Sequence, residues 1–364
     1  QISPEELEAK EKDGYNGNSV VGKAGMEQYL EEYLHGEDGE MEVLVDNMGR
    51  ILSETGQNIQ PQTGEDVYLT IDMELQQDVY DILEKKIAEI LLENIIDAKT
   101  FDKENISDST EIRIPIYDVY CAFFDNHVLN TEHFAEDDAT KLEKKVHERY
   151  EKQKESICQE ISRELKKGSG TEELREYESF ILENIDLLYD EYQEDARAFY
   201  EKWSDGSYTL ADYLNAVISK GWVRDEVFEG EEEYLTQKEM FESAVDYIAE
   251  ALWESSDFDI VVYDSMVMND KISPEELCQL LYDQGVLTKK DDDYRDWKAG
   301  QMSSYAFIRA KIQSLEITPA NLALDPCSGS AVVTDTDTGE VLACVSYPGY
   351  DNNRLANNMD NAYY

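Results

Sequence analysis

The spacing of apolar residues along the chain changes at two points, near Met73 and near Leu324. Before Met73, "ISPEELEAK" predicts a capped helix, residues 14–39 predict a helix of about ten residues between glycine-rich turns, and "MEVLVDNMGRILSET" and "EDVYLTID" predict strands. Between the two points the spacing is helical, in segments of about 10 to 25 residues. Strands return in "SAVVTDTDTGEVLACVS", which predicts a hairpin around "DTDTGE".

These changes predict an α+β fold with four regions. Residues 1–66 form a mixed segment and residues 67–96 the first strand and helix of a sheet domain. Residues 97–325 form an inserted, mainly α-helical lobe, and residues 326–364 the first hairpin of the same sheet domain. Since the strand and the hairpin share one sheet in this interpretation, we expect "VYLTI" to lie beside residues 331–345.

A weak internal repeat lies within the helical region. "YEKWSDGSYTLADYL" (200–214) and "YRDWKAGQMSSYAFI" (294–308) share Tyr, Trp and Gly at the same spacings. If the match is not a coincidence, both segments adopt the same turn followed by a helix, with Trp203 and Trp297 buried. The helix start "ISPEEL" of residues 2–7 also recurs at residues 272–277.

Acidic residues greatly outnumber basic ones, 82 to 32, and the net charge of -50 is spread along the chain. Such a charge repels phosphate backbones and anionic lipid headgroups, so it argues against nucleic acid as a partner. An acidic excess of this kind is typical of a solvated surface in an ion-rich exterior, and only weakly indicates a cation store.

Five cysteines are too few for a disulfide scaffold and form no C-x-x-C pair. In the predicted hairpin Cys344 faces Ala331, so Cys327 is poorly placed for a bridge, and we expect isolated thiols. No stretch approaches the roughly 18 apolar residues that a membrane helix needs. Because residue 1 is Gln, we expect the chain to be cut from a longer protein. Whether that protein has a membrane anchor upstream of this residue is left undecided by the sequence.

The sequence predicts no catalytic, cofactor-binding or metal-ligating residues. "DTDTGE" lacks the glutamate that closes a calcium loop, and "HERYE" has Glu151 where a zinc helix needs its second histidine. His127 and His133 have no further ligands nearby. No S-x-x-K occurs, nor S-x-N or K-T-G, so no serine has a lysine one helical turn away to accept its proton.

Three blocks follow one another along the chain: "VGKAGMEQYLEEYLHGEDG", "VYLTIDMELQ" and "SGSAVVTDTDTGEVLACVSYPGYDNN". In this order they resemble the class B penicillin-binding proteins, the membrane-anchored D,D-transpeptidases that cross-link peptidoglycan. The first is similar to the glycine-bounded helix of the dimerisation or pedestal domain. The second is similar to the strand and helix that enter the transpeptidase domain, and the third to that domain's first hairpin.

The sequence also departs from the family pattern. His35 stands where arginine is usual, Leu30 where an aromatic residue is common, and Cys344 where methionine is usual. The stretch 97–325 replaces a shorter connection, and it resembles an inserted helical lobe found in relatives from anaerobic Gram-positive bacteria.

The resemblance implies a partial pedestal domain over residues 1–66 and a truncated transpeptidase domain over residues 67–96 and 326–364. The chain would then be the non-catalytic portion of a protein that, at full length, cross-links peptidoglycan by serine acyl transfer at the extracytoplasmic face of the membrane. Stem peptides and β-lactams would be partners of the full-length protein only, and the lobe would dock cell-wall synthesis or division proteins. The alternative is a non-catalytic extracellular binding or scaffold protein built on a pedestal of this family.

Overall fold

The computed structural model describes residues 2–10, 15–56, 58–102, 108, 111–228, 235–350 and 354. The chain divides into two compact units, residues 1–80 with 330–364 and residues 81–329. We call them the flanking unit and the helical lobe. The fold class is α+β, as the sequence predicts, with small sheets and a large helical part.

The elements of the first 72 residues are short. They are α1 (Pro4–Lys10), α2 (Gly25–Tyr29), α3 (Glu31–Leu34), β1 (Val43–Val45) and β2 (Ile51–Glu54). The capping box at the start of α1 is confirmed, because the Ser3 N–H donates to Glu6 Oε2 at 2.8 Å and the Glu6 N–H donates to Ser3 Oγ at 3.3 Å.

The predicted helix between the glycine-rich turns is wrong in one respect. It is two short helices that meet at Leu30, whose φ of -104° and ψ of 12° leave the helical region. The chain bends at the point where the carboxylate of the next residue, Glu31, turns back toward the Gly22 N–H. A tertiary contact therefore overrides the local helical spacing.

The predicted hairpin of residues 41–55 is confirmed. Strands β1 and β2 pair antiparallel, with Leu44 opposite Ser53. Asp46 closes the turn, since its side chain accepts hydrogen bonds from the Met48 and Arg50 N–H groups at 2.8 and 2.9 Å. Gly49 has a φ of +78°, the left-handed conformation that glycine adopts without strain.

The second predicted hairpin is also present, as β5 (Gly329–Thr334) paired with β6 (Val341–Tyr347). One face of β6 is covered, since Ala343, Val345 and Tyr347 are buried, whereas Val332 on β5 is 62% exposed. The expected approach of "VYLTI" is confirmed within the flanking unit. The Thr70 hydroxyl donates to the Val341 carbonyl at 2.6 Å and the Asp72 N–H to the Leu342 carbonyl at 2.9 Å.

Residues 65–72 do not form the regular strand that their sequence predicts. The contacts with β6 come at the end of the segment, from a side chain and from Asp72, rather than from a continuous backbone ladder. The side chains of Tyr68 and Leu69 are 90% and 51% exposed. Alternating apolar residues are therefore insufficient to form a strand over residues 65–72, where β-propensity depends on the packing around the segment.

The lobe is built almost entirely from helices. After α4 (Met73–Asn94), two short strands, β3 (Ile95–Ile96) and β4 (Ile114–Pro115), pair in parallel. The helices that follow are α5 (Ile116–Asp125), α6 (Lys141–Lys167), α7 (Arg175–Asn184), α8 (Gln193–Ser204), α9 (Leu210–Lys220), α10 (Gln237–Glu254), α11 (Ser256–Met268), α12 (Pro274–Asp283), α13 (Asp292–Lys298), α14 (Ser304–Gln313) and α15 (Pro319–Leu322).

One continuous apolar core runs through the lobe, from Ala88 to Leu322. At its centre Tyr263 of α11 stacks on Phe124 of α5 and on Tyr150 of α6, with ring centroids 4.9 and 4.5 Å apart. One buried lysine in this core has two acidic partners. Lys311, which is 0% exposed, donates to Asp291 at 2.6 Å and to Glu316 at 3.1 Å.

The internal repeat is confirmed. Trp203 and Trp297 are 4% and 7% exposed, and each is followed by a left-handed glycine (Gly206 and Gly300) and a helix. In both copies an N–H bonds the carbonyl six residues earlier: Tyr208 to Lys202 at 2.9 Å and Met302 to Asp296 at 3.2 Å. Both helices therefore end in the same left-handed turn, in which later N–H groups satisfy the last helical carbonyls.

The structure shows the same turn at several further positions that sequence comparison missed, and Asp270 is one of them. Asp270 has the same left-handed conformation, with φ of +55°, and the Ile272 N–H bonds the Met266 carbonyl at 3.1 Å. The residue at the tryptophan position is Val267, which is 1% exposed. Both sequence anchors, the tryptophan and the glycine, are thus replaced while the backbone geometry is retained.

Candidate functional site

The sequence predicts no catalytic, cofactor-binding or metal-ligating residues, and the structure does not test this prediction directly. Within the described ranges, no group of three or more His, Cys, Asp or Glu side chains is arranged to hold a metal ion. All five cysteines are free thiols, in agreement with the expectation of isolated thiols. That the chain has no catalytic, cofactor or metal residues stays a prediction.

A buried carboxylate organises the first of the three family-like blocks. Glu31 is 7% exposed, and its Oε2 accepts the Gly22 N–H at 2.8 Å while its Oε1 accepts the Tyr15 hydroxyl at 3.2 Å. His35 lies 3.7 Å from the same Oε1 and stacks on the Tyr15 ring, with centroids 3.9 Å apart. A buried carboxylate with three partners fixes the geometry of the segment.

Two glycines allow the backbone to close around this cluster. A Cβ on Gly22 would lie 2.4 Å from the carbonyl carbon of Glu27, and one on Gly64 would lie 2.1 Å from the Leu34 carbonyl oxygen. Both distances are far below van der Waals contact, so any side chain would force the segments apart. Gly22 and Gly64 therefore have a packing role that the sequence alone did not assign.

A groove of about 770 Å³ lies beside the cluster, within the flanking unit. Its walls include Tyr15, Tyr29, Tyr33 and His35 together with backbone around Gly64. Tyr29 is 80% exposed and Tyr33 is 53% exposed. Aromatic side chains with a polar tip, exposed beside a rigid cluster, are typical of protein contact surfaces.

The second and third blocks meet on the first turns of α4. The Cys344 N–H donates to Gln76 Oε1 at 3.0 Å, the Gly349 N–H donates to the Tyr80 hydroxyl at 3.4 Å, and Tyr80 packs on Tyr347 with ring centroids 5.4 Å apart. Sequence reasoning missed Gln76 and Tyr80, although their spacing of four residues places both on one face of a helix. Together they seat the hairpin on the helix.

In the lobe, two carboxyl groups of packed helices interact: Asp125 of α5 and Asp264 of α11. Burial, and then repulsion by Asp125, raises the pKa of Asp264 to about 8. Burial also raises the pKa of the neighbouring Cys121 thiol, so that thiol is not an activated nucleophile at neutral pH. The pair is a titratable contact between two packed helices.

Parts of the chain are similar to known penicillin-binding proteins. Residues 1–69 match the family model described as the penicillin-binding protein dimerisation domain. Peptidoglycan D,D-transpeptidase MrdA of Escherichia coli is 35% identical over 96 residues, and the MrdA protein of Salmonella typhimurium is 36% identical over 98. Penicillin-binding protein 2A of Bacillus subtilis is 36% identical over 74 residues.

The matches are partial in both directions. The alignment with the E. coli protein covers 25% of this chain and 15% of that relative, and the alignment with the B. subtilis protein covers 20% and 10%. No solved structure matches the chain at a significant level. Within the part of the chain that the structure describes, none of the helices has the length and apolar character required to cross a membrane.

The similarity to penicillin-binding proteins rests on two agreeing kinds of observation. The dimerisation-domain match contains the segment that the buried Glu31 cluster organises. Proteins named as peptidoglycan D,D-transpeptidases or as a penicillin-binding protein, from three bacterial species, align with up to about a quarter of the chain. Over these residues the chain is therefore similar to the penicillin-binding proteins.

Proposed function

We propose that this chain is the non-catalytic portion of a peptidoglycan D,D-transpeptidase, which at full length cross-links stem peptides by serine acyl transfer. The observation that carries the proposal is the similarity to proteins named peptidoglycan D,D-transpeptidase, together with the match of residues 1–69 to the dimerisation domain. The seating of the β5–β6 hairpin on α4 supports it, since it brings the second and third family-like blocks together.

In this proposal the chain holds the catalytic domain in place and supplies none of its catalytic residues. An acyl-transfer nucleophile needs a neighbouring base, and the sequence holds no S-x-x-K, S-x-N or K-T-G. The flanking unit would hold the sheet of the catalytic domain at its first hairpin. The exposed outer face of that hairpin, with Val332 62% exposed, is suited to cover by further secondary structure.

We further propose an extracytoplasmic location, with anchorage by a membrane segment that is not among these residues. The net charge of -50 supports this location, because an acidic surface stays soluble in an ion-rich exterior and avoids anionic headgroups. In the same proposal the helical lobe is a spacer or a docking surface for cell-wall synthesis or division proteins.

The second candidate is an extracellular binding or scaffold protein that uses the pedestal without catalysis. The self-contained core of the lobe is the observation that favours it, because such a unit could serve as a binding module on its own.

Labelling with a fluorescent penicillin separates the two candidates. We expect no covalent label on the purified 364-residue chain, and label at one serine on the product of the complete gene. A denaturing gel with a pre-boiled control provides the readout. Specific labelling of the 364-residue chain would reveal a nucleophile that the sequence does not show, and an unlabelled full-length product would favour the scaffold protein.

A further inference from the structure

Residues 126–140, which we call the α5–α6 loop, connect two helices of the lobe and lie docked on it. A short 3-10 helix in the loop, Glu132–Ala135, packs on α6. Its Phe134 is 0% exposed, and the Phe134 ring meets that of Tyr263 on α11 edge-on, with centroids 6.0 Å apart. The loop is therefore part of the packed lobe, and its position depends on how it is held there.

A fully buried carboxylate holds the loop. Glu143, in the first turn of α6, is 0% exposed. Its Oε2 accepts the Thr140 N–H at 2.6 Å, and its Oε1 accepts the side-chain amide of Gln284 at 2.9 Å. The same Oε1 lies 2.8 Å from His133 Nδ1, and the ring nitrogen is the donor when the carboxyl is ionised. Burial opposes that ionisation, but hydrogen bonds from Thr140, Gln284 and His133 outweigh it and hold the pKa of Glu143 below its ordinary value.

The carboxylate joins three segments of the lobe. Gln284, at the end of α12, accepts the Asn130 N–H at 2.8 Å and donates to the Asn130 carbonyl at 2.8 Å, so it ties the loop to α12. It reaches Glu143 on α6 with the same amide. These donors are neutral at every physiological pH. His133 differs, because an imidazole gains or loses its charge near neutral pH.

The charges around His133 favour its protonated form. The hydrogen bond to Glu143 contributes most, and the nearby Asp138 and Glu136 add to it, so the pKa of His133 lies above its ordinary value. Asp138 Oδ1 lies 3.6 Å from His133 Nε2. The other charged groups on the packed helices have their own partners: Lys144 of α6 (the Asp137 carbonyl), Asp283 of α12 (the Thr140 hydroxyl), Asp259 of α11 (Lys154) and Asp125 of α5 (His127 and Asp264).

We propose that the α5–α6 loop is a pH-sensitive latch, closed while His133 is protonated and loosened when His133 loses that proton. The neutral ring can still donate one hydrogen bond, but the buried Glu143 carboxylate then loses its cationic partner. Thr131 and Ala135 of the loop line a cavity of about 260 Å³ together with Tyr150 and Trp253, so loosening the latch opens one wall of that cavity. The latch does not depend on the proposed transpeptidation.

The direction of the pH effect follows from the raised pKa of His133 in the folded chain. The contribution of His133 to loop docking is fully present below the unfolded value, about 6.5, and is lost as pH rises through the higher folded value. We therefore expect the loop to be more protected at pH 5.5 than at pH 7.5. Both pH values lie below the pKa of about 8 of Asp264, so that carboxyl stays mostly protonated.

Hydrogen exchange of the intact chain, corrected for intrinsic exchange rates, measures the latch. Between pH 5.5 and pH 7.5 the protection of amides in the α5–α6 loop should fall by about threefold, while that of the buried turns of α10 stays unchanged. An NMR titration of the His133 ring should give a midpoint above the ordinary value. Equal loop protection at the two pH values, or an ordinary midpoint for His133, would overturn the proposal.

Two variants assign the effect to one histidine. His133→Asn keeps a neutral donor near the position of Nδ1, so the loop should dock equally at both pH values. His147→Gln removes a half-buried histidine of α6 whose Nε2 lies 3.7 Å from Glu151, and the pH dependence should remain as in the unmodified chain. A pH dependence that persists in His133→Asn, or that disappears in His147→Gln, would contradict the latch.

Discussion

The helical lobe and the flanking unit differ in where their apolar side chains lie. The core cluster of the lobe extends over residues 88–322, whereas the other cluster consists of Ile2, Tyr15 and Val21 with Leu7 packed against it. Among the described residues of the lobe, the large apolar side chains left exposed are Ile82, Ile112 and Trp253. The remaining exposed ones all lie in the flanking unit, on α2 and α3, on the hairpins, around residues 67–69 and at other positions between these elements.

This difference indicates which unit carries its own stability. Apolar burial contributes about 25 cal/mol per Å² removed from water, so a unit that buries its large side chains can fold by itself. The lobe also begins and ends at adjoining points, since a Cβ on Gly329 would lie 3.1 Å from Leu83 Cδ1. A unit with adjacent ends and a closed core can be inserted into a host fold without disturbing it.

The strongest test of the comparison separates the two units. We expect a fragment of residues 81–329 to fold cooperatively on its own, and a fragment of residues 1–80 to lack a cooperative transition, because it buries too little apolar surface. Circular dichroism during heating measures both. The four tryptophans, Trp203, Trp222, Trp253 and Trp297, all lie in the lobe, so tryptophan emission follows lobe unfolding in the intact chain.

A non-cooperative melt of the lobe fragment, with exposed-tryptophan emission at low temperature, would show that its core needs the flanking unit. A sharp transition for residues 1–80 would show that the short elements there are stable without further cover.

The next largest effect is expected in the centre of the lobe. Phe123 of α5 is 0% exposed, so Phe123→Ala should lower the free energy of unfolding by about 3–5 kcal/mol through lost burial and the cavity left behind. Phe123→Leu, which keeps most of the volume, should cost less than half as much. Urea unfolding followed by tryptophan emission gives both values, and equal losses for the two variants would contradict close packing at this position.

The titratable pair in the lobe predicts a dependence of stability on pH. The folded-state pKa of Asp264, about 8, lies above that of the unfolded chain, so its contribution is fully present below the unfolded pKa and is lost as pH rises through about 8. Asp264→Asn should therefore stabilise the lobe at pH 9 relative to the unmodified chain, by about 1–3 kcal/mol, and leave it nearly unchanged at pH 4.

Unfolding midpoints at the two pH values provide the measurement, and Asp257→Asn, which is exposed on the same helix α11, serves as a control for the loss of one negative charge. An equal gain at both pH values would assign the effect to general charge repulsion instead of the buried Asp125–Asp264 contact.

The sequence predicted well those structural features that depend on neighbouring residues along the chain. The two hairpins, the capping boxes at Ser3 and Ser273 and the burial of Trp203 and Trp297 all follow from turn residues, cap residues and side-chain size. The resemblance to a family likewise rested on short blocks with characteristic glycines.

The sequence did not predict the features that depend on tertiary contacts. The repeated turn at Asp270 was missed because an aspartate there adopts the left-handed conformation usually marked by glycine. The break at Leu30 depends on the Glu31 carboxylate reaching the Gly22 N–H. Neither feature follows from the spacing of apolar residues, so the hydrophobic periodicity gave no signal for the turn at Asp270 or for the helix break at Leu30.

The smallest expected effect lies on the first hairpin. Ile51 of β2 is 61% exposed and adds little buried surface, so Ile51→Thr, which keeps the β-branched shape, should change the free energy of lobe unfolding by less than about 0.5 kcal/mol. The same substitution should instead reduce self-association, because it removes an apolar side chain from an exposed strand. Urea unfolding and sedimentation velocity of the intact chain measure the two effects. A loss of stability comparable to that of Phe123→Ala would mean that the hairpin belongs to the cooperative core, and the contrast between the two units would no longer hold.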